Sequence, residues 1–162
     1  GRSHWFGDYA DMPTKPLYPF GYGLSYTQFE YSDLRLSANR ASADDVIQVH
    51  VTVKNVGDRA GDEVVQMYAS DPVATVTRPV KMLRGFQRVH LEAGQSAHLT
   101  FELDVRHLGF YDRTMTHIVE AGEIVVMIGR SSDDICLSAS FEIAETTPVD
   151  RVYMTPVSVA LR

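Results

Sequence analysis

Twenty-one carboxylates and six histidines are the side chains of this sequence best suited to moving protons, and their spacing decides what they can do. Asp8 and Asp11, in "GDYAD", are the pair closest to a general acid/base arrangement, in which two carboxyl groups share the roles of nucleophile and proton donor. They flank an aromatic-rich run, and capping of a loop by aspartate is the simpler reading. The other Asp and Glu residues fall mostly in turns or on the polar sides of alternating runs, where a solvated carboxylate is expected. His4, His50, His90, His98, His107 and His117 are scattered without metal-ligand spacing, so no metal site is expected.

Two further motifs fail on inspection. "GYGLSY" places Gly21 and Gly23 as a dinucleotide loop would, but Tyr26 stands where the third glycine belongs and no strand-turn-helix surrounds it. "GLSYT" offers Ser25 without the second glycine of a nucleophile elbow. Cys136 is the single cysteine, which rules out an intrachain disulfide and a cysteine-held zinc.

Composition narrows the class. The 162 residues are 44% hydrophobic and 22% charged, enough to bury the core of one domain with extensions. A formal net charge of -6 and a sequence pI of about 5.4, with no Lys/Arg-rich block, exclude nucleic acid and an anionic membrane surface as partners. No apolar run reaches the length of a membrane-spanning helix, and "GRSHWFGDYADM" lacks the basic-then-apolar pattern of a signal peptide. A soluble protein is expected, with its compartment open.

The elements that would position any site are strands. In "VIQVHVTVKN", Ile47, Val49, Val51 and Val53 share one face and Gln48, His50, Thr52 and Lys54 the other. "SAHLTFELD" repeats this with Ala97, Leu99, Phe101 and Leu103, and "ICLSASFEI" with Leu137, Ala139, Phe141 and Ile143. "FEYSDLRLS", "DEVVQMYAS", "GFQRVHL" and "EIVVMIG" are less regular, with turn-forming segments such as "NVGDRAGD" and "GRSSDD" between the runs. These seven runs, without an amphipathic helix, predict an all-β, immunoglobulin-like antiparallel β-sandwich of about seven strands. The missing disulfide points to the fibronectin type III-like kind.

The first 31 residues are different. They hold nine of the sixteen aromatics among glycines and prolines, with no strand period before Thr27. Flexible tethers avoid such surface, so this arm is expected to lie against something. Trp5, Tyr9 or Tyr22 have the flat faces that stack on sugar rings. For Tyr18, Phe20, Tyr22, Tyr26 and Phe29, packing against an adjoining domain is the preferred reading.

"PLYPFGYGLSYTQFEYSDL" resembles the junction in family 3 glycoside hydrolases where the catalytic region ends and a C-terminal fibronectin type III-like domain begins. "VTVKNVGDRAGDEVVQMYASD", "RPVKMLRGFQRVHLEAGQSAHLTFEL", "LGFYD" and "AGEIVVMIGRSSDDI" are similar, in order and spacing, to that family's successive strands and turns. The resemblance covers roughly Gly1 to Ile143 and is of the bacterial β-glucosidase and β-xylosidase type. It implies a parent enzyme that performs exo-acting, retaining hydrolysis of β-glucosides or related β-glycosides, without metal or organic cofactor.

The resemblance also implies that this chain lacks the chemistry itself. The family's nucleophile is an aspartate in a Ser-Asp-Trp-like motif, whereas here Ser32-Asp33 is followed by Leu34, Ser70-Asp71 by Pro72 and Ser132-Asp133 by Asp134. No catalytic residue is therefore assigned. Arg2, His4 and Trp5 would lie on the catalytic side of the junction, where they are candidates to hydrogen-bond and stack on the sugar. The connection "SDPVATVTRPVKM" would face the catalytic domains, making Arg78 a candidate to hold an interdomain carboxylate.

The resulting organisation is a junction arm over 1–26, a sandwich over 27–144 and a tail over 145–162 whose mixed spacing fits a docking tail, an added edge strand or the start of another domain. The expected function is that of an accessory, stabilising domain whose partners are the catalytic domains of the parent, in the same polypeptide or as a separate chain after cleavage. Sugar would be met only through that parent. The alternative is an independent carbohydrate-binding module, which needs an exposed aromatic platform on the sandwich itself.

Overall fold

The computed structural model describes residues 16–150 and the backbone of residues 160–161. Arg2, His4, Trp5, Asp8 and Asp11 lie outside the described residues.

The alternating runs become the long strands: β1 (Phe29–Leu36), β3 (Val46–Asn55), β4 (Gly61–Ser70), β5 (Met82–Leu91), β6 (Ser96–Asp104), β9 (Gly122–Gly129) and β10 (Ile135–Ile143). The remaining strands are short: β2 (Arg40–Ala41), β7 (Phe110–Tyr111), β8 (His117–Val119), β11 (Thr147–Pro148) and β12 (Ala160–Leu161). One sheet runs in the order β1-β3-β6-β12 and the other β2-β10-β9-β4-β5, with a small third sheet β11-β8-β7. All pairings are antiparallel except β2 with β10.

The core lies between the two large sheets. Ile47, Val49, Val51 and Val53 of β3 and Leu99, Phe101 and Leu103 of β6 are buried against Val65, Met67, Val126, Ile128 and Phe141 of the other sheet. Each such side chain contributes roughly 1.5–3 kcal/mol before conformational entropy is subtracted.

The irregular runs have identifiable causes. In β1 the pairing with β3 slips between Ser32 and Arg35, and Asp33 adopts φ 56. This bulge moves the inward positions from Phe29 and Tyr31 to Leu34 and Leu36, which breaks the period in the sequence. At the end of β3, Asn55 is fully buried and ties two turns to the strand: its Nδ2 donates to Arg59 O and Leu91 O, and its Oδ1 accepts from Thr27 Oγ1 and from Gly57 N. All four polar positions of the amide are thereby used.

Part of the 145–162 segment joins the sheets as edge strands. Thr147 and Pro148 pair with Val119 and Ile118, while Ala160 and Leu161 pair with Thr100 and Leu99 of β6.

Candidate interdomain surface

The arm approaches the outer face of the five-stranded sheet through a turn that its sequence dictates. Tyr22 N donates to Pro19 O at 3.0 Å and Gly21 has φ 79, a type II turn in which the third residue needs a positive φ. On the sheet side, Val65 and Met67 point into the core, so Gln66 between them points outward, yet it is only 5% exposed because the arm covers it. Gln66 Nε2 donates to Gly21 O at 2.9 Å and to Arg130 O at 2.5 Å, and Tyr68 Oη donates to Gln66 Oε1 at 2.5 Å. A second tie runs from Ser132 N to Phe20 O at 2.9 Å.

Within residues 16–26 the backbone is therefore bonded inward at Phe20 and Gly21, while the rings of Tyr18, Phe20, Tyr22 and Tyr26 face solvent. Tyr26 is 94% exposed, Leu24 89%, Tyr18 66% and Phe20 65%, with Tyr22 about half exposed and its ring centroid 5.2 Å from that of Tyr18. Between the arm and β4–β5 lies a groove of about 700 Å³, walled by Tyr22, Leu24, Val56, Val64, Leu83 and Phe86. Monomeric surfaces rarely carry a contiguous apolar strip of this kind unless something covers it.

Glu63 and Arg130 also line the groove, Glu63 from the core-facing side of β4. Glu63 is 8% exposed, and burial pushes its carboxyl pKa up, against the pull of the Val64 N–H at 3.0 Å and of the Arg130 guanidinium, whose Nε lies 3.8 Å from Glu63 Oε2. Arg130 also donates to Phe29 O and Asp134 Oδ2 and lies over the Tyr31 ring, 5.3 Å from its centroid. Burial and then the Glu63 charge drive the Tyr31 phenol upward, and burial does the same to the Cys136 thiol. Asp62, next to Glu63 but on the opposite face of β4, hydrogen-bonds with Arg88 and His90, the Arg88 bond contributing most to holding its carboxyl below the usual range. The two carboxylates thus do not converge, as retaining glycoside hydrolysis would require at about 5–5.5 Å.

Of the residues expected to make interdomain contacts, Tyr18, Phe20, Tyr22 and Tyr26 stand together on the exposed arm. Phe29 does not. It is 4% exposed in the sandwich core, because β1 begins there and its side chain is the first inward position. Arg78 also departs from expectation: its guanidinium is engaged inside the chain by Asp71 Oδ2 at 3.0 Å and Leu108 O at 2.7 Å, and it lies 4.5 Å from the Phe110 ring centroid. His50 and His98 face outward on the other sheet, where their Nδ1 atoms pair with Thr100 Oγ1 and Thr52 Oγ1. Sequence reasoning missed Gln66, Glu63 and Arg130; the signal was a glutamine set inside the apolar run Val64–Tyr68.

A model of the fibronectin type III-like domain matches residues 63–132. Over 146 residues the chain is 45% identical to Thermostable beta-glucosidase B of Acetivibrio thermocellus, covering 90% of this chain and 19% of that protein. It is 46% identical over 126 residues to a Putative beta-xylosidase of Formosa agariphila, covering 78% and 17%. This is a fibronectin type III-like domain of the kind carried by family 3 glycoside hydrolases.

The same fibronectin type III-like domain superposes on the crystal structure of beta-glucosidase from Listeria innocua in complex with glucose with a TM-score of 0.78 at 38% identity, covering 86% of this chain and 19% of that one. It spans less than a fifth of the length of these relatives. Among its described residues no three His, Cys, Asp or Glu are grouped to hold a metal, and no helix is long and apolar enough to cross a membrane.

Proposed function

We propose that this chain is the accessory, stabilising C-terminal domain of a family 3 glycoside hydrolase that performs exo-acting, retaining hydrolysis of β-glucosides or related β-glycosides. Its arm seals the joint with the catalytic domains of that longer protein, and the chemistry resides on those domains. The observation that carries the reading is the strip of exposed aromatic and aliphatic side chains, Tyr18, Phe20, Leu24 and Tyr26, on a backbone bonded to the sandwich. The names of the relatives, beta-glucosidases and a beta-xylosidase over less than a fifth of their length, support the rest.

Within this reading Arg2, His4 and Trp5 edge the sugar site: the guanidinium and imidazole bond sugar hydroxyls and the indole supplies a stacking face.

The test is an assay of aryl β-glucoside hydrolysis and thermal inactivation on the chain alone, on the longer protein, and on the longer protein cut before residue 27. The expected result is no turnover by the chain alone and faster inactivation of the truncated protein; Trp5→Ala in the longer protein raises KM. Turnover by the chain alone, or equal inactivation of the intact and truncated proteins, contradicts the proposal. Saturable binding of a soluble β-glucan by the isolated chain would favour a carbohydrate-binding module instead.

A further inference from the structure

The exposed arm presents a physical problem. A short segment carrying Tyr18, Phe20, Tyr22, Leu24 and Tyr26 lowers its free energy in water by folding its rings onto the nearest apolar surface, and Val64 and Phe86, both exposed, are close by in the groove. The rings nevertheless remain outward, so something in the sandwich holds the backbone in place.

The holding group is Gln66. Both hydrogens of its Nε2 are used, one on Gly21 O and one on Arg130 O, and its Oε1 is fixed by Tyr68 Oη. Arg130 leads into Ser132, whose N–H takes Phe20 O, so one amide organises two successive carbonyls of the arm, one directly and one through the β9–β10 turn. The fit is close. A Cβ on Gly21 would stand 2.0 Å from Gln66 Oε1, and the φ of 79 at Gly21 disfavours any other residue independently. Neither an apolar side chain nor a carboxylate at position 66 meets these carbonyls with donors.

We propose that Gln66 is a positioning residue that holds the arm as a preformed docking face, so that the adjoining catalytic region meets an ordered apolar strip and does not have to fold it on contact. The occupant is the apolar flank of that region, since the arm is the N-terminal extension of the sandwich and the chain spans less than a fifth of its relatives. Order before contact reduces the entropy lost on docking. The inference rests on the accessory-domain reading above for what docks, but not for whether the arm is held.

Hydrogen–deuterium exchange of the isolated chain separates the two. In Gln66→Glu, which keeps the acceptor for Tyr68 but removes both donors, and in Gly21→Ala, whose added Cβ displaces the Gln66 amide from the arm side, peptides covering 18–26 and 130–134 should exchange about tenfold faster or more, while β3 and β6 keep their protection. If Gln66→Glu does not fold, Gly21→Ala decides alone. Unchanged exchange over 18–26 in the folded variants overturns the proposal. So does an equal rise across β3 and β6, because the amide would then be holding the sandwich and not the arm. Failure of the docking reading shows separately, as an absence of added protection of the arm in the longer protein, and leaves the exchange of the isolated chain untouched.

Discussion

Arg78 Nη1 donates to Asp71 Oδ2 at 3.0 Å, with the two side chains only 8% and 10% exposed. The long connection between β4 and β5 is thus closed on itself by a buried ion pair, reinforced where Arg78 Nη2 meets Leu108 O and where Ser70 Oγ meets Val80 O. A loop of this length with an internal lock behaves as a shaped element, not as a tether.

Removing one partner of that pair leaves the other charge buried and uncompensated. Asp71→Ala should cost about 3 kcal/mol, and Asp71→Ala combined with Arg78→Met considerably less, since no charge is then stranded. Urea denaturation of the three chains checks this. A double variant as unstable as the single one would show that the loop depends on the packing of Arg78 and not on its charge.

Phe29 and Tyr26 are three residues apart and should behave oppositely. Phe29→Ala removes a core side chain and should destabilise the isolated chain by about 3–5 kcal/mol. Tyr26→Ser, at a ring 94% exposed, should change the stability of the isolated chain by no more than about 0.5 kcal/mol. It should also reduce binding of an apolar dye to the arm. Comparable losses in the two variants would mean that the arm packs on the sandwich in solution.

Glu63 gives a pH dependence with a definite sign. Because burial raises its pKa in the folded state, the folded chain binds this proton more tightly than the unfolded one. The stability that follows is fully present below the unfolded carboxyl pKa of about 4.3 and is lost as pH rises through the folded value. Glu63→Gln should therefore be more stable than the wild type at pH 7, with the difference shrinking towards pH 4. Asp62, Asp104 and Asp112, whose pKa values are lowered, act in the opposite direction but equally in both chains. A stability difference independent of pH would remove Glu63 from the account.

Alternation alone exposed the part of the fold where one face is dry and the other wet. Ile47 to Val53 and Leu99 to Leu103 are buried as their spacing requires. It failed where the backbone changes phase, as at the Asp33 bulge, and where strands are too short to show a period, as in β7, β8 and β11. The candidate surface was legible as composition: aromatic residues among glycines and prolines. What holds it was not, because Gln66 in a strand reads as an ordinary solvent-facing polar residue until the arm is seen to cover it. Arg78 was read as reaching outward since nothing in the sequence shows that Asp71, seven residues before it, folds back to meet it.

The most direct test of the central claim is hydroxyl-radical footprinting of the tyrosines in the isolated chain and in the longer protein. Tyr18, Tyr22 and Tyr26 should be modified readily in the isolated chain and become protected in the longer protein, with the buried Tyr68 unmodified in both as the sign of an intact sandwich. Equal modification of the three arm tyrosines in the two samples would contradict the account, since the arm would then seal nothing.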